Sequence, residues 1–311
     1  MRALRVIALS LFVVSGLSSL ALSADPGEAA YSFLKIGTDA RSEAMGGAMT
    51  AVADKLGSTF YNPAALARTA PRSVMASYVN WLTDIQAGSL AAAWGVGQTG
   101  RIGVAAQYLD YGTFDPRDAQ GGPGDDFSAS DFAFAATWAG RAGESFSYGL
   151  TGRFVSESID DVSTTAMATD LGIGYELSDK RTHFGAAVRN LGEQTKSVEG
   201  GDKEDLPLTL AAGVSHHLRG APVLFAADVI KPSDDDVGGA FGIEVAAFRQ
   251  MLIRAGYNTL TAKINTDSDS DKLAGLSLGA GFVLERLSID YAFAAYSELG
   301  DVHRFSIGSR F

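Results

Sequence analysis

The chain has 311 residues, of which 46% are hydrophobic and 20% are charged, and its formal net charge is -11 at pH 7. This acidic balance argues against a nucleic-acid-binding surface, which needs a basic face. The absence of cysteine excludes disulfide bridges, thiolate metal sites, cysteine nucleophiles and a lipidated N-terminal cysteine. The 36 glycines, with this modest charge, favour many strands joined by tight turns.

Residues 1–23 have the pattern of a secretory signal peptide. Arg2 and Arg5 supply the positive n-region, residues 6–22 are apolar or small, and Ser23 ends a small-x-small cleavage site. An N-terminal membrane anchor is the alternative, but this run is interrupted by Ser and Gly and is at the lower limit of length for a helical span. We therefore expect an exported, acidic mature protein.

Residues 24–71 do not alternate like a strand, and we predict that they form a plug. Residues 39–45 are compatible with a helix, for which Thr38 or Asp39 is available as the N-cap. A Gly-Gly pair should weaken or end this helix, and a later Asn-Pro pair should begin a turn or a second helix. The residues predicted to shape the plug are Asp39, Arg41, Gly46, Gly47, Asn62, Pro63 and Ala64.

Residues 72–311 alternate between apolar residues and small or polar ones. In residues 287–296, for example, Leu, Ile, Tyr, Phe and Ala fall on one face, while the other face includes Ser and Asp. This is the pattern of a membrane barrel with one face toward lipid and the other toward the lumen. We predict an all-β, antiparallel up-and-down transmembrane barrel of about fourteen strands, an even number as in single-chain bacterial barrels. The predicted strands are 72–82, 86–97, 100–114, 127–141, 144–157, 164–178, 181–191, 206–217, 222–231, 238–248, 251–260, 274–285, 287–297 and 302–311.

The connections between the predicted strands alternate in length. Long acidic loops are predicted at residues 115–126, 157–163, 192–205, 231–237 and 261–272, and the connections between them are short. Outer-membrane barrels have long outer loops and short periplasmic turns, so both ends of the barrel sequence should lie on the periplasmic side.

The last predicted strand ends the chain on an aromatic residue. Phe305, Ile307 and Phe311 share its apolar face. This arrangement resembles the C-terminal signal by which outer-membrane barrels are recognised for insertion. It therefore predicts two partners, the barrel-assembly machinery and outer-membrane lipid.

Charged residues fall on the predicted luminal face of the barrel: Arg153, Asp170, Arg189, Asp228, Glu244, Arg254, Asp290 and Arg304. Because buried charges need partners, we expect them to pair with one another, as Asp290 could with Arg304, or with plug residues. The functional alternative is a polar conduit or a gate that movement of the plug controls. A transporter of hydrophobic molecules would instead need an apolar pocket between plug and wall, and the residues predicted to line it are Phe154, Leu224 and Phe248.

Catalytic and metal-binding chemistry has little support in the sequence. His216 and His217 are adjacent, so they fall on opposite faces of a strand and chelate a metal poorly. The acidic runs at residues 234–236 and 267–271 lack the Gly and the distal Glu of an EF-hand loop, which favours solvated loops over Ca²⁺ sites. We predict no enzyme, no metal and no cofactor.

Two segments of the predicted plug resemble a known family. FLKIGTDARSEAMGGA at residues 33–48 and FYNPAAL at residues 60–66 resemble the PorV/PorQ family of outer-membrane proteins, which is itself similar to the FadL-type transporters of hydrophobic compounds. The resemblance implies a FadL-like barrel of fourteen strands with an N-terminal plug. It also implies a link to type IX secretion, in which PorV-like members bind C-terminal domains of exported cargo and PorQ-like members serve cargo attachment.

Two functional hypotheses follow from the sequence. The leading one is an outer-membrane barrel that handles or attaches secreted cargo proteins at the cell surface, as the PorV/PorQ resemblance implies. The alternative is a FadL-like transporter that carries hydrophobic small molecules through a lumen gated by residues 37–66. A third interpretation is a structural porin.

Overall fold

The computed structural model describes residues 29–82, 85–114, 126–198, 200–263, 272–297 and 300–311. The predicted signal peptide at residues 1–23 and the acidic run at 267–271 lie outside these ranges. In the described part of the chain, no helix is both long and apolar enough to cross a membrane.

Fourteen antiparallel strands form a closed barrel, in which each strand pairs with its neighbours in sequence and β1 closes the barrel against β14. The predicted fold class is confirmed. The strands are β1 (Arg72–Asn80), β2 (Gln86–Val96), β3 (Gly100–Phe114), β4 (Phe127–Ala142), β5 (Phe146–Ile159), β6 (Val162–Glu176), β7 (Thr182–Lys196), β8 (Thr209–His217), β9 (Val223–Pro232), β10 (Gly238–Ala246), β11 (Met251–Asn258), β12 (Leu276–Leu284), β13 (Leu287–Ala295) and β14 (Asp301–Arg310).

The outer surface of the barrel is apolar. Large side chains such as Tyr78, Leu90, Tyr108, Trp138 and Ile289 are exposed on it, while the alternate positions face the lumen and are buried. An exposed apolar belt of this kind fits a lipid environment and would be unfavourable in water.

Two of the three residues predicted to line an internal apolar pocket do not face the lumen. Leu224 is buried inside the barrel, but Phe154 is exposed on the outer surface. Phe154 follows Arg153, whose side chain is buried inside, so the alternation of the strand turns Phe154 outward. Phe248 is also exposed, because it lies beyond the end of β10.

The connections define two ends of the barrel. The long-loop end carries the connections 81–85, 115–126, 160–161, 197–208, 233–237, 259–275 and 296–300, and the short-turn end carries 97–99, 143–145, 177–181, 218–222, 247–250 and 285–286. The long loop predicted at 157–163 is wrong. There β5 and β6 pair out to Ile159 and Val162, which leaves a two-residue turn in which Asp160 has a φ of 53°.

Residues 29–71 run through the lumen from one end of the barrel to the other. Tyr31 packs near the long-loop end against Leu109, Val155 and Leu206, and the chain reaches β1 at the short-turn end. Leu206, predicted to begin a strand, belongs to a loop that packs on Tyr31. The segment folds into one α-helix, α1 (Ala40–Ala44), and the 3-10 helices Ser32–Lys35, Leu56–Phe60 and Pro63–Arg68. We call residues 29–71 the plug.

Candidate functional site in the plugged lumen

Helix α1 has a defined start and a defined end. Of the two candidate N-caps, Asp39 is the one used: its Oδ1 accepts a hydrogen bond from Ser42 N at 3.1 Å. The helix ends where Gly46 and Gly47 adopt positive φ angles of 63° and 79°, a conformation that side chains with a Cβ rarely adopt. A Cβ at Gly46 would lie 2.6 Å from the backbone nitrogen of Tyr257, so the glycine also lets the plug approach the barrel wall.

Arg41 connects α1 to the wall through a buried charge network. Its Nε donates to Glu244 Oε2 at 2.8 Å, and its Nη1 donates to Asp54 Oδ1, a plug residue, at 2.6 Å. Glu244 also accepts from Arg254 Nε at 2.6 Å, and the two residues are strand-pairing partners on β10 and β11. Arg254 then donates from Nη1 to Asp290 Oδ1 at 2.7 Å. The network alternates in sign along its length, so each charge has at least one partner of opposite sign.

A second ion pair holds the other side of α1. Glu43 accepts a hydrogen bond from Arg304 Nη1, so Arg304 does not take the predicted partner Asp290. The hydroxyl of Tyr296 also donates to Glu43, at 3.3 Å. Burial raises the pKa of the Tyr296 phenol, which keeps this hydroxyl protonated. The guanidinium of Arg304 lies 5.6 Å from the ring centre of Trp81, within the range of a cation–π contact.

The remaining predicted luminal charges lie on β5, β6, β7 and β9. Arg153 donates to Asp170 at 2.7 Å, and Asp170 also accepts from the backbone of Asn190. Asp228 accepts from the backbone nitrogen of Thr50 at 2.8 Å, so it binds the plug. Arg189 lies over the ring of Tyr61, 5.5 Å from its centre.

The Asn-Pro-Ala element fixes the second half of the plug. Asn62 caps the helix Pro63–Arg68 by accepting from Ala64 N at 3.0 Å. Its Nδ2 donates to the carbonyl of Thr50 at 2.7 Å and to that of Ile173 in β6 at 3.0 Å. The side chain therefore joins two parts of the plug to the wall, and all three residues of the element are buried.

A cavity of about 390 Å³ lies between the plug and the wall at the short-turn end. Its lining includes Met49, Leu56 and Met75 together with the charged residues Asp54 and Lys55. The amine of Lys55 is buried, and among the described residues it has no hydrogen-bond partner. The cavity is therefore amphipathic.

A second cavity, of about 430 Å³, lies at the long-loop end of the plug. It is lined by aromatic and aliphatic side chains, with polar groups between them: Leu34, Ile36, Tyr61, Trp81, Leu260, Tyr296, Glu43, Arg189, Asn190 and Asn258. Its volume is within the range of small-molecule sites, about 300–1,000 Å³.

Helix α1 separates the two cavities along the wall formed by β12, β13 and β14. Asp39 and Arg41 border the short-turn cavity, and Glu43 borders the long-loop cavity. The face of α1 that touches the wall is made of small residues, since Ala40 and Ala44 pack on Ala292. Helix α1 is therefore the part of the plug that lies between the two cavities on this side of the barrel.

The residues of the predicted insertion signal lie on the outer surface. Phe305, Ile307 and Phe311 are all exposed there, and the backbone nitrogen of Phe311 donates to the carbonyl of Arg72 at 3.0 Å. The last strand thus closes the barrel against β1. Whether these side chains also act as a recognition signal stays a prediction.

Sequence reasoning missed several residues of the site. Glu43, Tyr61, Trp81 and Tyr296 all line the long-loop cavity, and none was selected from the sequence. Glu43 and Tyr61 lie inside the two family-like segments, which is the one sequence signal that could have identified them. Trp81 and Tyr296 fall within the predicted strands 72–82 and 287–297, but the structure ends β1 at Asn80 and β13 at Ala295, so both belong to connections.

Solved structures with the same fold are transporters of hydrophobic compounds or their homologues. The toluene transporter TbuX of Ralstonia pickettii superposes with a TM-score of 0.60 at 14% identity, over 88% of this chain and 98% of that one. The toluene transporter TodX of Pseudomonas putida gives 0.59 at 14% identity, over 88% and 96%. A FadL homologue from Pseudomonas aeruginosa gives 0.57 at 14% identity, over 88% and 97%. The barrel has a FadL-like fold.

No family model matches the chain, and no curated protein matches it. The comparisons do not show the PorV/PorQ family, so that resemblance rests on the two N-terminal segments alone. At 14% identity the structural likeness establishes the fold and leaves the function to be argued from the site.

Proposed function

We propose that the protein is a non-enzymatic outer-membrane barrel that passes hydrophobic small molecules through its lumen. The observation that carries the proposal is the aromatic cavity at the long-loop end, separated by one short helix from a second cavity at the short-turn end. The structural neighbours TbuX and TodX are toluene transporters, which supports the same substrate class. In an outer membrane the long-loop end would face outward and the short-turn end would face the periplasm.

The first binding step would place an apolar ligand against Trp81, Tyr61 and Tyr296. Aromatic side chains offer a large apolar surface, and ring pairs add about 0.5–1.5 kcal/mol beyond area burial. The charged side chains of the lining already have contacts of their own. Glu43 is paired with Arg304, Lys35 with Asp234 and Asp235 with Lys263, and Arg189 lies over the ring of Tyr61, so an uncharged ligand would not have to supply a counter-ion. We therefore favour a neutral aromatic or aliphatic molecule over a charged one.

Passage to the second cavity would require α1 to move away from β13. The contacts that hold it are Ala-on-Ala packing, a hydrogen bond from Ala40 N to Ser306 Oγ, and two charged connections, Arg41 to Glu244 and Glu43 to Arg304. Water entering with the ligand can solvate these charges, whereas it cannot replace lost apolar packing. In this mechanism the luminal ion pairs hold the gate closed.

Fluorescence tests the binding step directly, because the chain has three tryptophans and only Trp81 borders the cavity. A variant with Trp94→Phe and Trp138→Phe keeps Trp81 alone. Bromobenzene should quench its emission saturably, and toluene should compete. The matched control keeps only Trp138, which is exposed on the outer surface, and should show only unsaturable quenching through the bilayer. Identical, unsaturable quenching of both variants would refute binding in this cavity.

A disulfide tests the gating step, and the cysteine-free chain makes the experiment unambiguous. Ala44→Cys with Ala292→Cys would join α1 to β13 in the closed state, since both residues belong to one buried cluster. Oxidation should abolish toluene entry into proteoliposomes, and reduction should restore it. Each single variant controls for the substitutions. Unchanged entry through the oxidised, cross-linked protein would contradict gating by α1.

The cargo-handling hypothesis is the second candidate, and the observation that favours it is the PorV/PorQ-like sequence of residues 33–48 and 60–66. It predicts that secreted proteins with a common C-terminal domain bind the long-loop end. Purification from outer membranes in mild detergent, followed by mass spectrometry, distinguishes the two. Such proteins as stable partners would favour cargo handling, whereas bound hydrophobic molecules without a protein partner would favour transport.

A further inference from the structure

The two ends of the barrel carry opposite charges. In the described part of the chain, the acidic residues of the long-loop connections are Asp126, Asp160, Asp161, Asp202, Glu204, Asp205, Asp234, Asp235 and Asp236, and the basic ones are Lys203, Lys263 and Lys272. At the short-turn end the balance is reversed. The exposed basic residues there are Arg72, Lys180, Arg219, Arg249, Arg286 and Arg310, which we call the basic ring.

The basic ring is not neutralised by neighbouring acids. Among the described residues, no carboxylate forms an ion pair with any of its arginines, and Lys180 makes only a 3.9 Å contact with Glu144. The exposed acids in these turns are Glu144, Asp179 and Glu285, fewer than the six members of the ring, and Glu176 is already bound by Arg68 and His183. The ring therefore presents a net positive charge to its surroundings.

The position of the ring relative to the apolar belt indicates what it meets. Trp94, Trp138, Phe146, Phe282 and Phe311 are exposed on the outer surface close to the short-turn ends of their strands. Aromatic girdles of this kind lie at the interface between hydrocarbon and headgroups. Trp94 is the strand-pairing partner of Arg72, so ring and girdle are adjacent. The basic ring thus lies at the depth of the lipid headgroups.

We propose that the basic ring binds anionic phospholipid headgroups of the leaflet at the short-turn end. Members of the ring belong to turns between β6 and β7, β8 and β9, β10 and β11, and β12 and β13, and to the ends of β1 and β14, so they follow much of the barrel circumference. A protein partner would instead need one compact face. The binding would hold the barrel at a fixed depth, whatever its lumen carries.

Spin-labelled lipids measure whether the barrel prefers anionic phospholipids to zwitterionic ones. Electron paramagnetic resonance gives the association of labelled phosphatidylglycerol with the reconstituted barrel relative to phosphatidylcholine. Each basic residue near an anionic surface contributes about 1 kcal/mol, or about fivefold. We therefore expect a severalfold preference for phosphatidylglycerol that decreases in about 1 M salt, where the Debye length is about 3 Å.

A charge-reversed variant locates the effect. R219E/R249E/R286E should reduce the preference to about unity, whereas K196E/K203E/K263E, which makes the same change in charge at the long-loop end, should retain it. Folding of both is checked by heat-modifiable mobility on unboiled gels. Equal association of the two lipids with the unmodified protein, or equal loss in both variants, would overturn the proposal. So would an acidic periplasmic protein that binds through these arginines while no lipid preference is found.

Discussion

Arg41→Met tests whether buried charge holds the plug in place. The substitution keeps an apolar stem but removes the guanidinium that contacts Glu244 at 2.8 Å and 3.0 Å, and Asp54 at 2.6 Å. Removing one partner of a buried ion pair costs about 3–5 kcal/mol. Because Glu244 keeps Arg254 and the side chain of Asp54 is half exposed, we expect the lower end, about 3 kcal/mol.

Two measurements check this expectation. The free energy of unfolding in urea should decrease, and planar-bilayer recordings should show more frequent openings as α1 leaves the wall. The matched control is Lys203→Met, because Lys203 contacts Glu193 at 3.8 Å with both side chains largely exposed. Exposed pairs of this kind contribute little, so the control should leave both measurements unchanged.

Adding Glu244→Gln to the Arg41→Met protein measures the interaction between these two side chains alone. If Arg41 and Glu244 stabilise each other, then Glu244→Gln should cost less in the Arg41→Met protein than in the unmodified one, and the difference measures their coupling. Additive effects would mean that the two side chains act independently. An Arg41→Met protein with unchanged stability and unchanged conductance would refute the proposal that this network holds α1 against the barrel wall.

Four further predictions concern the plug, the last strand and the outer loops. Asn62→Ala removes a helix cap and two donated hydrogen bonds, so it should lower the free energy of unfolding by about 2–3 kcal/mol, while Asn80→Ala at an exposed position should not. Gly46→Val forces a β-branched residue into a φ of 63° beside Tyr257 and should cost at least about 1–2 kcal/mol, measured in the same assay. Phe311→Ser should slow folding into vesicles if the terminal aromatic is a recognition element, whereas Phe248→Ser should fold at the normal rate. The hydrogen bond from Lys263 lowers the pKa of Asp236, so the contact between these two residues should persist above the ordinary Asp pKa and be lost as the pH falls below it. Protection of the amides beside Asp236 and Lys263 against hydrogen exchange should therefore decrease only at acidic pH. The same decrease in a Lys263→Ala protein, which lacks the contact, would contradict this explanation.

The strands were predictable because their signal is local. Alternation with a period of two can be detected within a few residues, and β3 has the predicted bounds, Gly100–Phe114. The error at residues 157–163 arises because a loop was predicted from amino-acid composition, which does not show whether two strands stay paired. Residues 157–163 are acidic, which suggested a loop, but β5 and β6 stay paired until Ile159 and Val162.

The partners of the luminal charges could not be predicted from the sequence. Alternation indicates that Arg304 faces inward, but its partner is Glu43, which is far away in sequence and belongs to the plug. The neighbouring strand offered Asp290 as a closer candidate, and Asp290 instead binds Arg254. Which inward charges meet depends on how the plug is seated, and that is a property of the whole barrel.

The two halves of the plug differ in how they are connected to the strands of the barrel, and this difference argues for α1 as the moving part. The helix Pro63–Arg68 lies against glycines of the wall: a Cβ at Gly149 would collide with the backbone of Pro63. Arg68 also donates to Glu176 and to the carbonyl of Ser145, close to the point where the plug continues into β1. Helix α1 also lies against a wall glycine, since a Cβ at Gly279 would collide with that of Ala44. It has no such continuity with a strand, however, and its ion pairs to Glu244 and Arg304 are contacts that water can solvate. Movement of α1 alone would open a path between the cavities while Pro63–Arg68 keeps the plug attached to the barrel.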